Sequence, residues 1–307
     1  MKLLITGGCG FVGRPLVAAA VARHDVHVVD TLRSGQHRLD SMDLSAFALH
    51  RVDIRDADRI SALVASIQPD LLVHLAAIHF IPDCEADPAL AVSTNVAGTA
   101  NLLSAMPRGG RFINLSSAAV YAPTAHPLIE GESPVGPVDT YGLTKLHAEA
   151  YTRYLSEMRG FTGWSIRMFN VIGAGETNPH LVPEIVAQLK GGATSLRLGN
   201  TSPRRDFVDV YDVVEGLLRL CAADARALES TNDILNLGSG CAHSVGDVIA
   251  EIKGVSGLEF GVLRDPARVR SVDRPLLVAS TDAMRRALDW APATSFAASV
   301  QRLWRES

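Results

Sequence analysis

The sequence predicts an α/β fold in which a doubly wound parallel sheet is followed by a smaller C-terminal lobe. Short apolar runs rich in β-branched residues alternate with helical patterns along most of the chain. These runs are apolar on both faces, which is typical of parallel strands covered by helices on each side. After about Val171 the alternation gives way to the segment IGAGETNPHLVP, which marks the beginning of the lobe.

The predicted elements follow one another in a regular order. The strands are KLLITG, VHVVD, FALHRVD, LLVHLAA, RFINLSS, WSIRMFNV and DILNLGS. The clearest helical patterns are RPLVAAAVAR, RISALVASI, PALAVSTNVAGTANLLSAM and TYGLTKLHAEAYTRYLSEM. We expect residues 1–170 to form one domain, to which residues 206–240 return, and residues 171–205 and 241–307 to form the lobe.

Composition argues against several classes of protein. The 307 residues carry 29 Lys and Arg against 33 Asp and Glu, a formal net charge of -4, without a basic run, which disfavours nucleic-acid and anionic-membrane partners. No apolar segment approaches membrane-spanning length, so we expect a soluble, cytoplasmic protein. The cysteines lie far apart, so we expect reduced thiols and no metal site. They are Cys9, Cys84, Cys221 and Cys241.

Glycines cluster directly after the first predicted strand. KLLIT leads into Gly7, Gly10 and Gly13 and then into a helix, so that backbone amides and the helix N-terminus can face a diphosphate. The second strand ends at Asp30, where a carboxylate can accept hydrogen bonds from an adenosine ribose. The pattern predicts a dinucleotide site that favours NAD, because Asp30 repels a 2′-phosphate. Arg33 follows closely and leaves NADP as the alternative.

The segment TGGCGFVG resembles the cofactor loop of the extended short-chain dehydrogenase/reductases, the NAD-dependent sugar-nucleotide epimerase/dehydratase family with a Rossmann fold. Further similar motifs follow in order: VDIRD, HLAA, NLSSAAVY, YGLTK, RMFNVIGAG and RRDFVDVYDVV. The resemblance implies that Asp53 and Ile54 lie against adenine, that Ala76 and Ala77 pass beside the cofactor, and that Asn95 supports the site. The cofactor-binding residues expected on this basis are Gly7, Gly10, Phe11, Val12, Gly13, Asp30, Asp53, Ile54, Ala76, Ala77, Asn95, Tyr141 and Lys145.

Tyr141 and Lys145 are the candidate catalytic pair. They are four residues apart in a helical pattern and therefore share a face, so that the ammonium can lower the phenol pKa and hold the nicotinamide ribose. An activated tyrosinate can move a hydroxyl proton while a hydride moves to or from nicotinamide. The family motif implies Ser117 as the third catalytic residue, hydrogen-bonded to the substrate oxygen.

The residues after Ser117 indicate the reaction class. Family members that dehydrate a hexose carry acidic groups there, whereas this chain has Ala118 and Ala119, which cannot move protons. The pattern is similar to that of the 4-epimerases, above all those acting on UDP-sugars, and of some 4-keto reductases. We therefore expect an NDP-sugar 4-epimerase working through NAD. An NAD(P)H-dependent NDP-4-keto-sugar reductase and a catalytically silent NAD-binding regulator are the alternatives.

The substrate end of the site is predicted from four residues. Asn170 of RMFNV, Arg205 of RRDFVDVYD and Arg270 are the candidate contacts to the nucleotide tail, since arginine forms paired hydrogen bonds with phosphate. His79 lies in a loop that we expect to contact the sugar. The resemblance also implies a homodimer, formed by the two long helical stretches as a four-helix bundle.

Overall fold

A computed structural model gives the fold of the chain and describes residues 1–35, 39–40, 42–176, 178–228, 233–266 and 274–307. The strands within these ranges are β1 (Lys2–Thr6), β2 (Asp25–Val29), β3 (Ala48–His50), β4 (Leu71–His74), β5 (Arg111–Ser117), β6 (Thr162–Met168), β7 (Asn170–Ile172), β8 (Ser195–Leu198), β9 (Arg204–Asp209), β10 (Ile234–Leu237), β11 (Ala242–Ser244), β12 (Gly261–Arg264) and β13 (Leu276–Leu277).

The helices of the same ranges are α1 (Gly13–Ala20), α2 (Ala57–Ile67), α3 (Ile81–Ala86), α4 (Pro88–Val92), α5 (Gly98–Ala105), α6 (Thr140–Arg159), α7 (Leu181–Lys190), α8 (Val210–Ala222), α9 (Val245–Ser256), α10 (Asp282–Leu288) and α11 (Phe296–Glu306). A π-helical turn spans Ser93–Ala97 and a 3₁₀ turn spans Ala118–Val120. None of the helices described here combines the length and the apolar character needed to cross a bilayer.

The main sheet confirms the predicted doubly wound fold. Seven parallel strands lie in the order β3-β2-β1-β4-β5-β6-β10. The chain runs from β1 outward to β3 and then crosses back to β4, so that strand order reverses between β1 and β4. In sheets of this kind ligands bind at the carboxyl ends of the strands beside that reversal. In this chain the two central strands end at Thr6 and His74, which pair in register.

Both faces of the sheet are covered, as strands apolar on both sides require. On one face Leu3 and Ile5 of β1 belong to a buried cluster with side chains of α1 and α8. On the other face Leu4 and Leu72 belong to a second cluster with side chains of α2 and α5. Alternate residues of β1 therefore anchor helices on opposite sides, which fixes the orientation of the loops above the sheet.

Beyond Met168 the chain builds a second set of strands. β7, β9, β11 and β13 form a small sheet, and β8 pairs with β12. Side chains from α7, α9 and α11 bury a separate apolar cluster against these strands. Within the range predicted for the lobe, Ala283, Met284 and Trp290 instead pack in the cluster between the main sheet and α8.

One predicted helix differs from its expected form. The stretch 88–106 is broken by the π-helical turn Ser93–Ala97, which separates α4 from α5. A π turn inserts one extra residue and rotates the side chains that follow, and such turns occur frequently at functional sites. Here the turn carries Asn95, whose side chain is fully buried.

Candidate active site

A cleft of 1590 Å³ opens above the carboxyl ends of the main-sheet strands. Its walls come from the loops after β1, β2, β4 and β5 and from the second set of strands. Most of the predicted site residues line it, namely Gly7, Gly10, Phe11, Val12, Gly13, Asp30, Asp53, Ile54, Ala76, Ala77, His79, Ser117, Tyr141, Lys145, Asn170 and Arg205. Arg270 lies outside the described residues.

The glycines after β1 serve two different purposes. Gly7 has a φ of +71°, and a Cβ there would lie 2.7 Å from the backbone nitrogen of Ala76. A Cβ at Gly13 would collide with the Gly7 carbonyl oxygen. Gly7 and Gly13 therefore let the loop fold on itself. A Cβ at Gly10 would meet only the Gly7 carbonyl oxygen, at 3.1 Å, so Gly10 leaves its face toward the cleft open.

The glycine loop has hydrogen-bond donors to offer a ligand. Within the described chain the amides of Phe11 and Val12 have no acceptor, whereas the Gly10 amide donates to the Gly7 carbonyl oxygen at 3.0 Å. Both residues line the cleft directly before α1. Unpaired amides at the start of a helix, beside a glycine that leaves space, fit the diphosphate of a dinucleotide.

Asp30 fastens the end of β2 to the glycine loop. Its Oδ2 accepts from the Cys9 amide at 3.0 Å and its Oδ1 accepts from the Leu32 amide at 2.8 Å. Each carboxylate oxygen keeps a further lone pair, so Asp30 can still accept from a ribose hydroxyl. The Arg33 guanidinium pairs with Asp83 at 3.0 Å.

The wall after β3 is partly apolar. Ile54 is buried, and a Cβ on Gly98 would lie 2.7 Å from its side chain, so the start of α5 packs directly on Ile54. Asn101 donates to the Ile54 carbonyl oxygen at 3.0 Å. The carboxylate of Asp53 pairs with Arg55 at 2.6 Å, and the hydrogen bond from Arg55 lowers the pKa of Asp53. These contacts hold a surface against which a planar base can lie.

The three catalytic candidates meet where β5 ends and α6 begins. Ser117 is the last residue of β5, and its side chain lies close enough to the Tyr141 phenol to lower the pKa of that phenol. Lys145 lies one helical turn after Tyr141, and its Nζ is 6.0 Å from the Tyr141 ring centroid. That ammonium donates to the Leu115 carbonyl oxygen at 2.7 Å. The fold thus brings Ser117 to a tyrosine and a lysine that the sequence already placed on one face.

Burial dominates the electrostatics of this group. It raises the pKa of the Tyr141 phenol, an effect that the nearby Ser117 hydroxyl opposes and that Cys84 and Asp139 reinforce. Burial also lowers the pKa of Lys145 to about 8, which Cys84 and Glu149 partly counter. The expected lowering of the phenol pKa by the ammonium is therefore not the governing effect, because removal from water disfavours the charged form of either group.

A buried ion pair lies behind the three catalytic candidates. Glu149, one turn after Lys145, accepts two hydrogen bonds from Arg167 of β6, at 2.9 and 2.7 Å. It also accepts from the Ser116 hydroxyl at 2.5 Å. The pair therefore ties α6 to both β5 and β6 at the level of Ser117 and Lys145.

Asn95 does not line the cleft, contrary to its predicted place among the cofactor-binding residues. Its amide exchanges two hydrogen bonds with the Ile78 backbone, at 2.8 and 2.9 Å, and donates to the Thr144 hydroxyl at 3.0 Å. The side-chain amide therefore makes its hydrogen bonds within the protein, behind the surface of the cleft. Asn95 joins the loop after β4 to the helix that carries Tyr141 and Lys145, and so it helps to hold that helix in place.

His74, at the end of β4, is a structural residue. Its two ring nitrogens are hydrogen-bonded with the hydroxyls of Thr6 and Thr99, at 2.7 and 2.9 Å. Burial lowers the pKa of His74 to about 3, so the imidazole is neutral. It links the two central strands to α5.

The residues after Ser117 bring no proton-transfer group. Ala118 and Ala119 form the 3₁₀ turn and line the cleft with methyl groups. The Ala119 amide donates to the Ser117 hydroxyl oxygen at 3.1 Å, which fixes the turn to the serine. The carboxylate of Asp139 faces the same region, but it caps α6 through the Gly142 amide at 2.7 Å.

Histidines and polar groups form the outer part of the cleft. His79 Nε2 lies 2.9 Å from the Asn178 side-chain nitrogen and 3.7 Å from a Glu176 oxygen, and its ring centroid is 5.8 Å from that of His180. The ligand atoms of His79, Glu176 and His180 lie within 4.8 Å of one another. The sequence singled out only His79, although the other three residues lie in IGAGETNPHLVP, where the change of pattern was already visible.

Asn170 and Arg205 reach the cleft from the second set of strands. Among the described residues, the buried Asn170 side-chain oxygen has no hydrogen-bond partner, so a ligand donor could complete it. Arg205 donates from Nη1 to the Arg274 carbonyl oxygen at 2.7 Å. Arg274 also lines the cleft but was missed at the sequence level. It lies only four residues after the expected Arg270, in the same irregular run.

Comparison with known proteins agrees with this geometry. Residues 3–238 match the NAD dependent epimerase/dehydratase family. A UDP-glucose 4-epimerase of Corynebacterium glutamicum is 32% identical over 99% of this chain and 95% of its own. A GDP-6-deoxy-D-mannose reductase of Pseudomonas aeruginosa is 29% identical over 98% of this chain and 95% of its own.

A solved structure is similar over the whole length. The UDP-glucose 4-epimerase of Thermus thermophilus, in complex with NAD, superposes with a TM-score of 0.84 at 27% identity, covering 100% of this chain and 98% of that one. The family match covers the glycine loop, Asp30, Ser117, Tyr141 and Lys145 in one continuous segment. The chain therefore belongs to the NAD dependent epimerase/dehydratase family, whose cofactor is NAD.

Proposed function

We propose that the protein is an NDP-sugar 4-epimerase, acting on a UDP-sugar, that oxidises C4 transiently and reduces it again on the opposite face. The observation that carries this proposal is the meeting of Ser117, Tyr141 and Lys145 beside a turn of alanines, with no further acid–base pair in that turn. NAD, when bound, supplies the hydride acceptor and donor, and its positive nicotinamide ring favours the phenolate.

The chain itself handles the proton. Tyr141 takes the C4 hydroxyl proton as the sugar becomes a ketone and returns it when the alcohol forms again. The Ser117 hydroxyl, which lies beside the phenol, also reaches the substrate oxygen and aligns it. Lys145 is held by the Leu115 carbonyl oxygen and has further ammonium hydrogens for a ribose hydroxyl.

Dehydration is disfavoured by the same residues. Loss of water across C5–C6 requires a second acid and base near the sugar, whereas Ala118 and Ala119 present methyl groups there. Asp139 is committed to Gly142 and to Arg274. Exchange between alcohol and ketone needs only the tyrosine, and it therefore suits this set of residues best.

NAD is preferred to NADP in this proposal. The Asp30 carboxylate lies where a ribose 2′-hydroxyl can donate to it and would repel a 2′-phosphate. Arg33, the residue that left NADP open, is already paired with Asp83. On the adenine side Asp53 and Ile54 form the wall, and Ala76 and Ala77 pass beside the nicotinamide half.

The substrate tail is proposed to lie along the second set of strands. Asn170 offers its unpaired oxygen, and Arg205 offers positive charge for the diphosphate. Arg270 remains a proposed phosphate ligand from the sequence alone, and His79 a proposed sugar contact. In this division residues 1–170 and 206–240 bind the dinucleotide, and 171–205 and 241–307 bind the nucleotide sugar.

We propose a homodimer formed through α6. Leu143, Tyr151, Tyr154 and Met158 of this helix are 44–67% exposed, and Val92 of α4 is 48% exposed. Large apolar side chains exposed along one helix are typical of a surface that another chain covers. Light scattering at micromolar concentration should give twice the mass of 32.8 kDa. A monomer would contradict this part of the proposal.

A reductase of an NDP-4-keto-sugar is the second candidate, and the similarity to the Pseudomonas aeruginosa reductase favours it. Both reactions need the same three residues. The test is incubation with a panel of NDP-sugars, without added cofactor, while NMR follows the configuration at C4. In deuterated water an epimerase leaves C4 and C5 unlabelled and consumes no NADH. Solvent deuterium beside the carbonyl, or stoichiometric NADH consumption, would overturn the 4-epimerase proposal.

A further inference from the structure

Arg274 occupies the junction between the two parts of the catalytic group. The residue lies beside β13 and is only 8% exposed. Nη2 donates to the Ala119 carbonyl oxygen at 2.9 Å, and Nη1 donates to the Asp139 carboxylate at 3.2 Å. One guanidinium therefore contacts both the turn after β5 and the residue that begins α6.

Each of these contacts is made to a residue that supports a catalytic candidate. The Ala119 amide donates to the Ser117 hydroxyl oxygen, and Asp139 caps the first turn of the helix that carries Tyr141. The turn and the helix also touch directly, because a Cβ on Gly142 would collide with the Ala119 carbonyl oxygen. Arg274 therefore holds together the two elements whose separation sets the distance between the Ser117 and Tyr141 side chains.

The third nitrogen of the guanidinium, Nε, has no partner among the described residues. Nε of Arg274 is buried and makes no hydrogen bond within the described chain, although the residue lines the cleft. A buried charged donor without an acceptor is costly, and sites of this kind are commonly completed by a ligand. The contact of Nη2 with Ala119, two residues after Ser117, puts the guanidinium that carries this donor at the Ser117 end of the cleft.

We propose that Arg274 is a positioning residue that sets the alignment of Ser117 with Tyr141, and that its Nε donates to a hydroxyl oxygen of the bound sugar. The second half rests on the proposed function, since it requires a nucleotide sugar as ligand. Lysine cannot replace arginine here, because an ammonium lacks the planar fork that reaches two acceptors and a third at once.

Three variants separate the two halves of the proposal. Arg274→Lys removes both the planar guanidinium and its Nε donor. Asp139→Asn keeps a side chain that can cap the helix and leaves Arg274 Nε in place, but it removes the charged partner of Arg274 Nη1. Arg302→Lys is the matched control, because Arg302 also pairs with a helix-capping aspartate, Asp209 at 3.1 Å, away from the cleft.

Kinetics give the first readout. Arg274→Lys should lower kcat by about 10- to 100-fold through misalignment and raise KM for the nucleotide sugar by about tenfold. Asp139→Asn should lower kcat and leave KM unchanged, and Arg302→Lys should change neither. An unchanged kcat in both site variants overturns the positioning role, and an unchanged KM in Arg274→Lys overturns the contact with the sugar.

Hydrogen exchange of the NAD-bound protein gives a readout that needs no substrate. Peptides containing the amides of Ala119 and Gly142 should exchange about tenfold faster in Arg274→Lys than in the wild type, and at the wild-type rate in Arg302→Lys. Equal rates in all three proteins overturn the positioning role. A wild type that turns over no nucleotide sugar but shows the accelerated exchange refutes the proposed function and leaves the positioning role standing.

Discussion

Replacement of Tyr141 by phenylalanine tests the proton step most directly. The change removes a single hydroxyl, and in the described chain that hydroxyl lies beside the Ser117 side chain. The ring that lines the cleft stays in place. We therefore expect the fold and the NAD content to survive while the route for the C4 proton is lost.

The structure sets the size of both effects. One neutral hydrogen bond contributes about 1 kcal/mol net, and Tyr141→Phe also ends the burial of a polar group, so stability should change by less than about 1 kcal/mol. Loss of the acid–base group should lower turnover by about 10²–10⁴-fold, which corresponds to about 2.7–5.4 kcal/mol of activation free energy.

Tyr121→Phe provides the matched control. Tyr121 is another buried tyrosine close in the fold, but its hydroxyl donates to the Asn236 side-chain oxygen at 2.8 Å. Its removal leaves that buried oxygen with one donor fewer, so Tyr121→Phe should cost about 1–3 kcal/mol of stability and keep turnover within about twofold.

The assay pairs C4 inversion, followed by NMR, with the amount of NAD released on denaturation and with urea unfolding. The reasoning is refuted if Tyr141→Phe retains more than about a tenth of wild-type turnover with normal NAD content. It is also refuted if Tyr121→Phe loses as much turnover as Tyr141→Phe, because the effect would then come from buried tyrosines in general.

Three further predictions address the cofactor loop and the lysine. Asp30→Ala should weaken the binding of NAD far more than the binding of NADP in a titration, and Asp30→Asn is the control that keeps a hydrogen-bond acceptor. Equal weakening of both cofactors would show that Asp30 does not contact the 2′-hydroxyl. Gly13→Ala should lower the melting temperature because its Cβ collides with backbone, whereas Gly10→Ala should lower NAD affinity with little thermal effect. The pKa of Lys145 falls from 10.5 in the unfolded chain to about 8 in the folded chain, so the unfolded chain binds more protons between these two pH values. The stability of the wild type relative to Lys145→Met should therefore rise between pH 8 and pH 10.5, by an amount of the order of 3 kcal/mol. A stability difference that does not change with pH would contradict the burial of this charge.

Local patterns were sufficient to predict the scaffold. The seven strands of the main sheet correspond to seven apolar runs, because a strand buried on both faces must be apolar throughout. Glycine spacing and Asp30 predicted a dinucleotide end of the cleft for a similar reason. A tight turn and a close backbone approach restrict the residue type itself.

Other features depended on contacts that no local pattern records. The break in 88–106 carries Asn95, whose side chain is hydrogen-bonded with the Ile78 backbone and Thr144, which are distant along the chain. Arg274 was missed because its partners, Ala119 and Asp139, lie more than a hundred residues earlier. Nothing in the run around Arg274 distinguishes a buried arginine from an exposed one.

The sequence by itself determined the parallel sheet, the glycine loop and the placement of Tyr141 and Lys145 on one face, because each depends on spacing within a few residues. Only the tertiary structure decided that Ser117 meets that tyrosine, that Arg274 joins their supports, and that burial raises rather than lowers the pKa of the phenol. The physical reason is that the desolvation and the hydrogen bonding of a group depend on every element packed around it. At Tyr141 those elements are β5, α3 and the start of α6, which meet only in the folded chain.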